Sequence, residues 1–159
     1  MWKNIMFAIA LGWLSNARAG PFDPIVSKAW VGESVPGQTT ATLQLNLTTV
    51  KPVNLKSVSS PLAASIEIHS LMKYKGAMKL QVVSNLPLPD HRTVTFGSNG
   101  LFLMMTDINQ PLKIGDRVPV NLVVEFADKQ TKTISAEAEV RKMELSYKHY
   151  GPNEVYDHR

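Results

Sequence analysis

The stretch 118–140, VPVNLVVEFADKQTKTISAEAEV, contains two runs in which apolar and polar residues alternate, joined by the polar residues 127–130. Successive side chains of a strand point to opposite faces, so alternation with a period of two predicts strands that each bury one face. Turn-like residues between two such runs predict a β-hairpin. Its apolar positions are Val118, Val120, Leu122, Val124 and Phe126 in the first run, and Ile134, Ala136, Ala138 and Val140 in the second.

Pro119 lies at the start of the first run. Proline has no amide hydrogen to donate to a neighbouring strand, so sheets accept it at a strand opening or on an edge. We therefore predict that residue 119 lies at such a position.

The same alternation continues outward from the hairpin and is clearest at Leu43, Leu45 and Leu47. No stretch sustains a helical period for three turns. Many short strands separated by turn residues predict an all-β fold, a β-sandwich of the Greek-key type. The shorter predicted strands are Ser27–Val31, Ser65–His69, Ala77–Val83, Thr93–Phe96 and Leu101–Thr106. The main predicted breaks are Pro36-Gly37, Ser60-Pro61, Lys75-Gly76, Pro87–Asp90, Gly97–Gly100 and Gly115-Asp116.

The N-terminal residues predict a secretory signal peptide, with a short buried helix as the alternative. Lys3 precedes the apolar run Ile5–Leu14, and residues 17–19, ARA, have the small-x-small pattern of a cleavage site. We expect the mature protein to be soluble and periplasmic, without membrane insertion after cleavage. The predicted organisation is a signal peptide over 1–19, one sandwich domain over 20–142 and a polar, flexible tail over 143–159.

Composition excludes several classes of protein. The chain has no cysteine, which excludes disulfides, thiolate metal sites and attachment through a lipid-modified cysteine. Of the 17 basic residues, Lys3 and Arg18 fall in the predicted signal peptide, which leaves 15 against 13 acidic residues. This balance, without a basic and aromatic stripe, does not predict nucleic-acid binding. No nucleophile-elbow, zincin or phosphate-loop pattern occurs, so we do not expect an enzyme.

Histidine and methionine supply the candidate metal ligands. Met72, Met78 and Met104 lie near His69 in the sequence or on a strand that could face it. Imidazole and thioether groups are the ligands that the soft ion Cu(I) prefers. These residues therefore predict a weak Cu(I) site.

Ordered local matches make the chain similar to the PCu(A)C family of periplasmic copper chaperones from about Ala29 to Val140. The resemblance implies a cupredoxin-like sandwich that delivers Cu(I) to a copper-receiving protein, such as a respiratory oxidase or another copper enzyme. The matching stretches are Ala29–Val31, Val35–Gln38, Ser60-Pro61 with Ala63 and Ala64, Ile66–His69, Gly76–Leu80, Leu86–Asp90, Asn99–Met104, Pro111–Lys113, Gly115-Asp116 and Val118–Val120.

The copper motif of the family has a histidine, a methionine eleven positions later, a second histidine and a second methionine. The matching positions here hold His69, Leu80, Phe102 and Met104. Leucine and phenylalanine cannot coordinate a metal, so the resemblance retains His69 and Met104 as ligands. Met78 shares a strand face with Leu80 and is our candidate third ligand, with Met72 as its alternative.

Other interpretations stay open at this point. His69 could be a hydrogen-bonded surface histidine and the methionines core filler, in a sandwich that has lost metal transfer and serves as a binding or scaffold protein. Met105 has the opposite strand parity from Met104 and is predicted to lie in the core. His91 is predicted to be a turn residue, and His149 and His158 in the tail have weak metal spacing.

Overall fold

The computed structural model describes residues 20–98 and 100–143. The predicted signal peptide, Asn99 and residues 144–159, with His149 and His158, lie outside these ranges. Within the described ranges the chain forms ten strands and no helix. None of the described residues therefore forms a helix that could span a membrane.

The strands follow the alternation of the sequence. Their bounds are β1 Ile25–Gly32, β2 Ala41–Thr49, β3 Val53–Ser59, β4 Ala63–Tyr74, β5 Ala77–Val82, β6 Leu86–Leu88, β7 Arg92–Phe96, β8 Leu101–Ile108, β9 Arg117–Phe126 and β10 Thr131–Arg141.

Seven of these strands form a closed ring in the order β4–β8–β2–β1–β10–β9–β3, and the pairing of Val58 with Ile66 joins β3 back to β4. The strands β1 and β10 run parallel, and the other pairs run antiparallel. The strands β5, β6 and β7 are added outside the ring, on β4, β3 and β2. A ring closed in this way leaves few free sheet edges.

The core fills the interior of the ring with the inward-facing residues of the alternating runs. Leu43, Leu45 and Leu47 of β2 are at most 1% exposed. They pack with Phe96, Leu103 and Met105 and with the buried residues of β9 in one cluster. Burial of a large aliphatic side chain contributes about 1.5–3 kcal/mol, so these alternating positions hold the fold together.

The predicted hairpin at 118–140 is confirmed as β9 and β10, with the amide of Phe126 donating to the carbonyl of Gln130 at 2.9 Å. The prediction for Pro119 is also confirmed. Pro119 is the third residue of β9, and pairing of β9 with β3 begins only at Asn121, so the strand is open on that side.

Two strands were not predicted. In β3 the buried residues are Val53, Leu55 and Val58, and a register shift between Leu55 and Ser57 interrupts the alternation. A bulge of this kind inserts one residue and breaks the period of two. The strand β6 lies at the predicted break near Pro87, where only three residues pair with β3.

Candidate functional site

The candidate site lies on the outer face of the sheet, around the middle of β4. His69 is directly opposite Phe102 on β8 and Val82 on β5. Cross-strand partners share a face of the sheet, so the three side chains lie together. The side chain of His69 is only 13% exposed, which shows that its neighbours cover most of the ring.

The four motif positions converge on this face. Phe102 is opposite His69, and Leu80 and Met104 each lie one diagonal step from it, on β5 and β8. Diagonal neighbours in an antiparallel pair are about 7–8 Å apart, which long side chains can bridge. Leu80, Phe102 and Met104 are far from His69 in the sequence, but each is a direct or diagonal cross-strand neighbour of its imidazole.

Glu67 also lies on this face, and no role was predicted for it. It lies directly opposite Met104, and its Oε2 is 3.0 Å from Nε2 of His69. A carboxylate can only accept a hydrogen bond, so Nε2 of His69 is the donor and the lone pair of a neutral ring lies on Nδ1. The sequence could have indicated this contact, because Glu67 is two residues before His69 and residues two apart on a strand share a face.

The two adjacent methionines of β8 face opposite sides of the sheet. Met105 is fully buried, which confirms its prediction as a core residue. Met104 is half-buried on the face of His69. The side chain of Met104 therefore lies on the outer face of the sheet and not in the core.

The structure does not bring Met78 or Met72 to His69. Met78 is on the same face but lies opposite Lys73, four positions along β4 from His69, or about 13 Å at the rise of a strand. Met72 is an odd number of residues from His69 and points to the other face. The register thus leaves His69 and Met104 as the two predicted ligands that are neighbours.

The arrangement offers one imidazole, one thioether and one carboxylate beside apolar side chains. Among residues 20–98 and 100–143, no three His, Asp or Glu side chains come together as a metal site. His69 and Met104 can supply two donors to a soft cation such as Cu(I), and the remaining positions would need solvent or a partner. His91 lies outside this face, in the turn before β7, at a positive φ of 49°.

Comparison with known families identifies relatives of this chain. A family model described as lipoprotein LpqE-like matches residues 25–138. A curated relative from Leifsonia xyli subsp. xyli (strain CTCB07), described as lipoprotein Lxx21020, is 27% identical over 111 residues. The match covers 69% of this chain and 66% of the relative, so the chain spans just under two thirds of that protein.

Solved structures share the fold. The apo PCuAC domain from PmoF1 is 19% identical with a TM-score of 0.60, over 76% of this chain and 94% of that domain. The copper-bound PCuAC domain from PmoF2 is 21% identical with a TM-score of 0.56, over 74% of this chain and 93% of that domain. The Cu(I) form of DR1885 from Deinococcus radiodurans is 26% identical with a TM-score of 0.53, over 80% of this chain and 83% of that protein.

These matches confirm two predictions, the all-β cupredoxin-like fold and the resemblance to PCu(A)C domains. None of the relatives described above is named as an enzyme.

Proposed function

This chain belongs to the LpqE-like family, and we propose that it is a periplasmic, copper-chaperone-like protein that binds Cu(I) and passes it to a copper enzyme. The observation that carries the proposal is the convergence of the four motif positions on His69. The copper-bound PCuAC domain from PmoF2 and the Cu(I) form of DR1885, which share the fold, support it. The predicted signal peptide and the lipoprotein relatives support a location in the cell envelope.

His69 and Met104 are the proposed ligands, and Glu67 holds the ring of His69 in position. A site with only two protein donors binds Cu(I) less tightly than a four-ligand site and leaves coordination positions open. Open positions favour transfer, because a receiving protein can add its own ligands before His69 and Met104 leave. Met78 would join only if the β4–β5 hairpin bent toward His69.

The proposal is tested by titrating the protein with Cu(I) against a competing chelator under reducing conditions. We expect His69→Ala to lower the Cu(I) affinity at least roughly tenfold. Removing a residue that only orients a metal ligand commonly lowers affinity by that factor, and removing the ligand itself should lower it at least as much. The matched control is His91→Ala, which removes an exposed imidazole away from the site. All variants carry His149→Ala and His158→Ala, so that the tail cannot bind copper. Equal affinity of the protein and its His69→Ala variant would contradict the proposal.

Restoring the two lost ligands gives a second test. In the variant with Leu80→Met and Phe102→His, the new imidazole lies opposite His69 and the new thioether one diagonal step away. We expect Cu(I) affinity to rise by at least about tenfold. The control is Leu80→Ile with Phe102→Leu, which changes the same two positions without adding a metal ligand. No gain in the restored variant would show that these four positions do not form a site.

The second candidate function is a binding or scaffold domain without metal transfer. The observation that favours it is the apolar replacement of both lost ligands, with Leu80 50% exposed on the surface. The Cu(I) titration separates the two functions, since a scaffold domain predicts no loss of copper affinity in His69→Ala.

A further inference from the structure

The β4–β5 hairpin extends beyond the rest of the sheet. Pairing of β4 with β8 ends at Ser70, whereas pairing with β5 continues to Tyr74. Four residues of strand extend about 13 Å, and over this length the described part of the chain pairs β4 only with β5. A two-residue turn at Lys75 and Gly76, with φ of 48° and 83°, closes the hairpin. All six residues of β5 are exposed.

Apolar side chains cover both faces of this hairpin. The hairpin holds six of the eleven large apolar side chains that are exposed in the described residues. Cross-strand register places Leu71, Met78, Leu80 and Val82 on the face of His69, and Met72 and Tyr74 on the opposite face. An exposed apolar surface of this density marks an interaction site.

The same hairpin is basic. Lys73, Lys75 and Lys79 lie in it, and no acidic residue occurs between Glu67 and Asp90. The Nζ atoms of Lys75 and Lys79 are 5.3 and 5.4 Å from the centre of the ring of Tyr74. Positive charge therefore surrounds the aromatic side chain at the tip.

These features select one kind of partner, and we propose that the hairpin 71–82 docks into the surface of a membrane that contains anionic lipids. A protein bound to one face would leave the other apolar face in water, whereas the interfacial region of a bilayer covers both. A second copy paired along β5 would bring two sets of three lysines together. Anionic headgroups instead attract the lysines, and the tip enters only the hydrated boundary region, where water still pairs with the outer edge of β5. This contact is peripheral and includes no spanning segment.

Binding to vesicles tests the proposal. The protein is sedimented with vesicles of equal parts phosphatidylglycerol and phosphatidylcholine, and with vesicles of phosphatidylcholine alone, at low and high salt. We expect preferential, salt-sensitive binding to the anionic vesicles. The triple variant Lys73→Gln, Lys75→Gln and Lys79→Gln should lose roughly fivefold in affinity per lysine, or about a hundredfold.

Matched variants control for charge and apolarity elsewhere. Lys28→Gln, Lys113→Gln and Lys142→Gln remove the same charge from other exposed positions and should retain binding. The variant Met72→Ser with Met78→Ser removes one apolar side chain from each face and should weaken binding. Its control, Val35→Ser with Ile114→Ser, changes residues that are 63% and 60% exposed. All proteins share the same remaining sequence, so contributions from outside the hairpin cancel in the comparison.

A label reports the position of the hairpin directly. Because the sequence has no cysteine, Met72→Cys can carry a single environment-sensitive fluorophore, with Val35→Cys as the control. Anionic vesicles should shift the emission of the label at residue 72 to shorter wavelength and leave the label at residue 35 unchanged. Three results would overturn the proposal. The label could shift equally at both positions, the hairpin and control variants could bind vesicles equally, or the hairpin could mediate self-association in place of lipid binding. Copper affinity is not part of these measurements, so they are independent of the Cu(I) titration.

Discussion

The imidazole of His69 donates from Nε2 to the carboxylate of Glu67 at 3.0 Å. This bond orients the ring, and in the neutral form of the imidazole it leaves the lone pair on Nδ1. Histidine ligands of metals commonly donate their other nitrogen to a carboxylate in the same way. Glu67 therefore acts as a positioning residue for the proposed ligand.

Glu67→Ala should weaken Cu(I) binding roughly 10–100-fold, because the ring of His69 then samples other orientations and tautomers. Glu67→Gln should restore part of the affinity, since its amide oxygen can still accept from Nε2. Nitrogen NMR of the His69 ring gives a second measurement, with Nε2–H dominant in the unchanged protein and a tautomer mixture in Glu67→Ala. The control is Glu137→Ala on β10, which is also exposed. Unchanged affinity and an unchanged tautomer would contradict the role of Glu67.

The neighbouring methionines of β8 should respond to substitution in opposite ways. Met105 is fully buried, so Met105→Ala should lower the free energy of unfolding by about 2–5 kcal/mol through loss of contacts and cavity formation. Met104→Leu keeps the size of a half-buried side chain but removes the thioether. It should leave the melting temperature nearly unchanged and weaken Cu(I) binding. If Met104→Leu destabilised the protein as much as Met105→Ala, the assignment of the two faces would be wrong.

At the scale of single elements, the sequence predicts most strands because one buried face produces alternation. Eight of the ten strands are predicted, although β5 has six exposed residues and is marked by the turn at Lys75-Gly76 and not by a buried face. The bulge between Leu55 and Ser57 hides β3, since it shifts the buried positions out of register. β6 has three residues, too few for a pattern of alternation to stand out.

The candidate site is predictable only in part, because some of its contacts follow from local turns and others from pairing of strands that are distant in the sequence. The turn at Lys75-Gly76 fixes the register of β4 with β5, so the distance of Met78 from His69 follows from local sequence. The pairing of His69 with Phe102 joins strands that are not connected by a tight turn. That contact depends on the closing of the whole ring, which no local pattern encodes.

The segment before β1 is tied to β10 by a charged contact. The carboxylate of Asp23 accepts from Nζ of Lys132 and from the amide of Gly20. The hydrogen bond from Lys132 lowers the pKa of Asp23 below its ordinary value of 3.8, although burial alone would raise it. The ionised form of Asp23 is therefore favoured in the folded protein.

Asp23→Asn should lower the melting temperature at neutral pH, because it removes the charge that pairs with Lys132. The contribution of Asp23 to stability is complete above the ordinary pKa of 3.8 and is lost as the pH falls through the lowered pKa of the folded state. The difference between the two proteins should therefore shrink with acidification and disappear at the lowest pH. Asp90→Asn, at an exposed turn residue, is the control. A difference that stays constant with pH would contradict this account.

At the scale of the whole molecule, the ring of strands is stabilised by a buried core, whereas the tip of the β4–β5 hairpin is exposed. The ring of seven strands encloses the core, and its members β2 and β9 carry fully buried residues such as Leu47 and Leu122. Among the described residues, the tip of the β4–β5 hairpin pairs with no third strand. Ligand-binding segments often come from such weakly supported regions, because their local opening costs little free energy.

Native-state hydrogen exchange should separate these two parts. Amides of β2, β9 and β10 should exchange only through global unfolding, so their free energies of opening should converge as denaturant is added. Amides of Leu71–Tyr74 and of β5 should exchange on the order of a hundredfold or more faster, through opening of the tip alone. Added Cu(I) should protect amides near His69 and Met104, whereas anionic vesicles should protect those of the tip. Equal protection of the tip and of β9 in the free protein would show that the hairpin is part of the cooperative core. The low local stability inferred from its exposure would then be wrong.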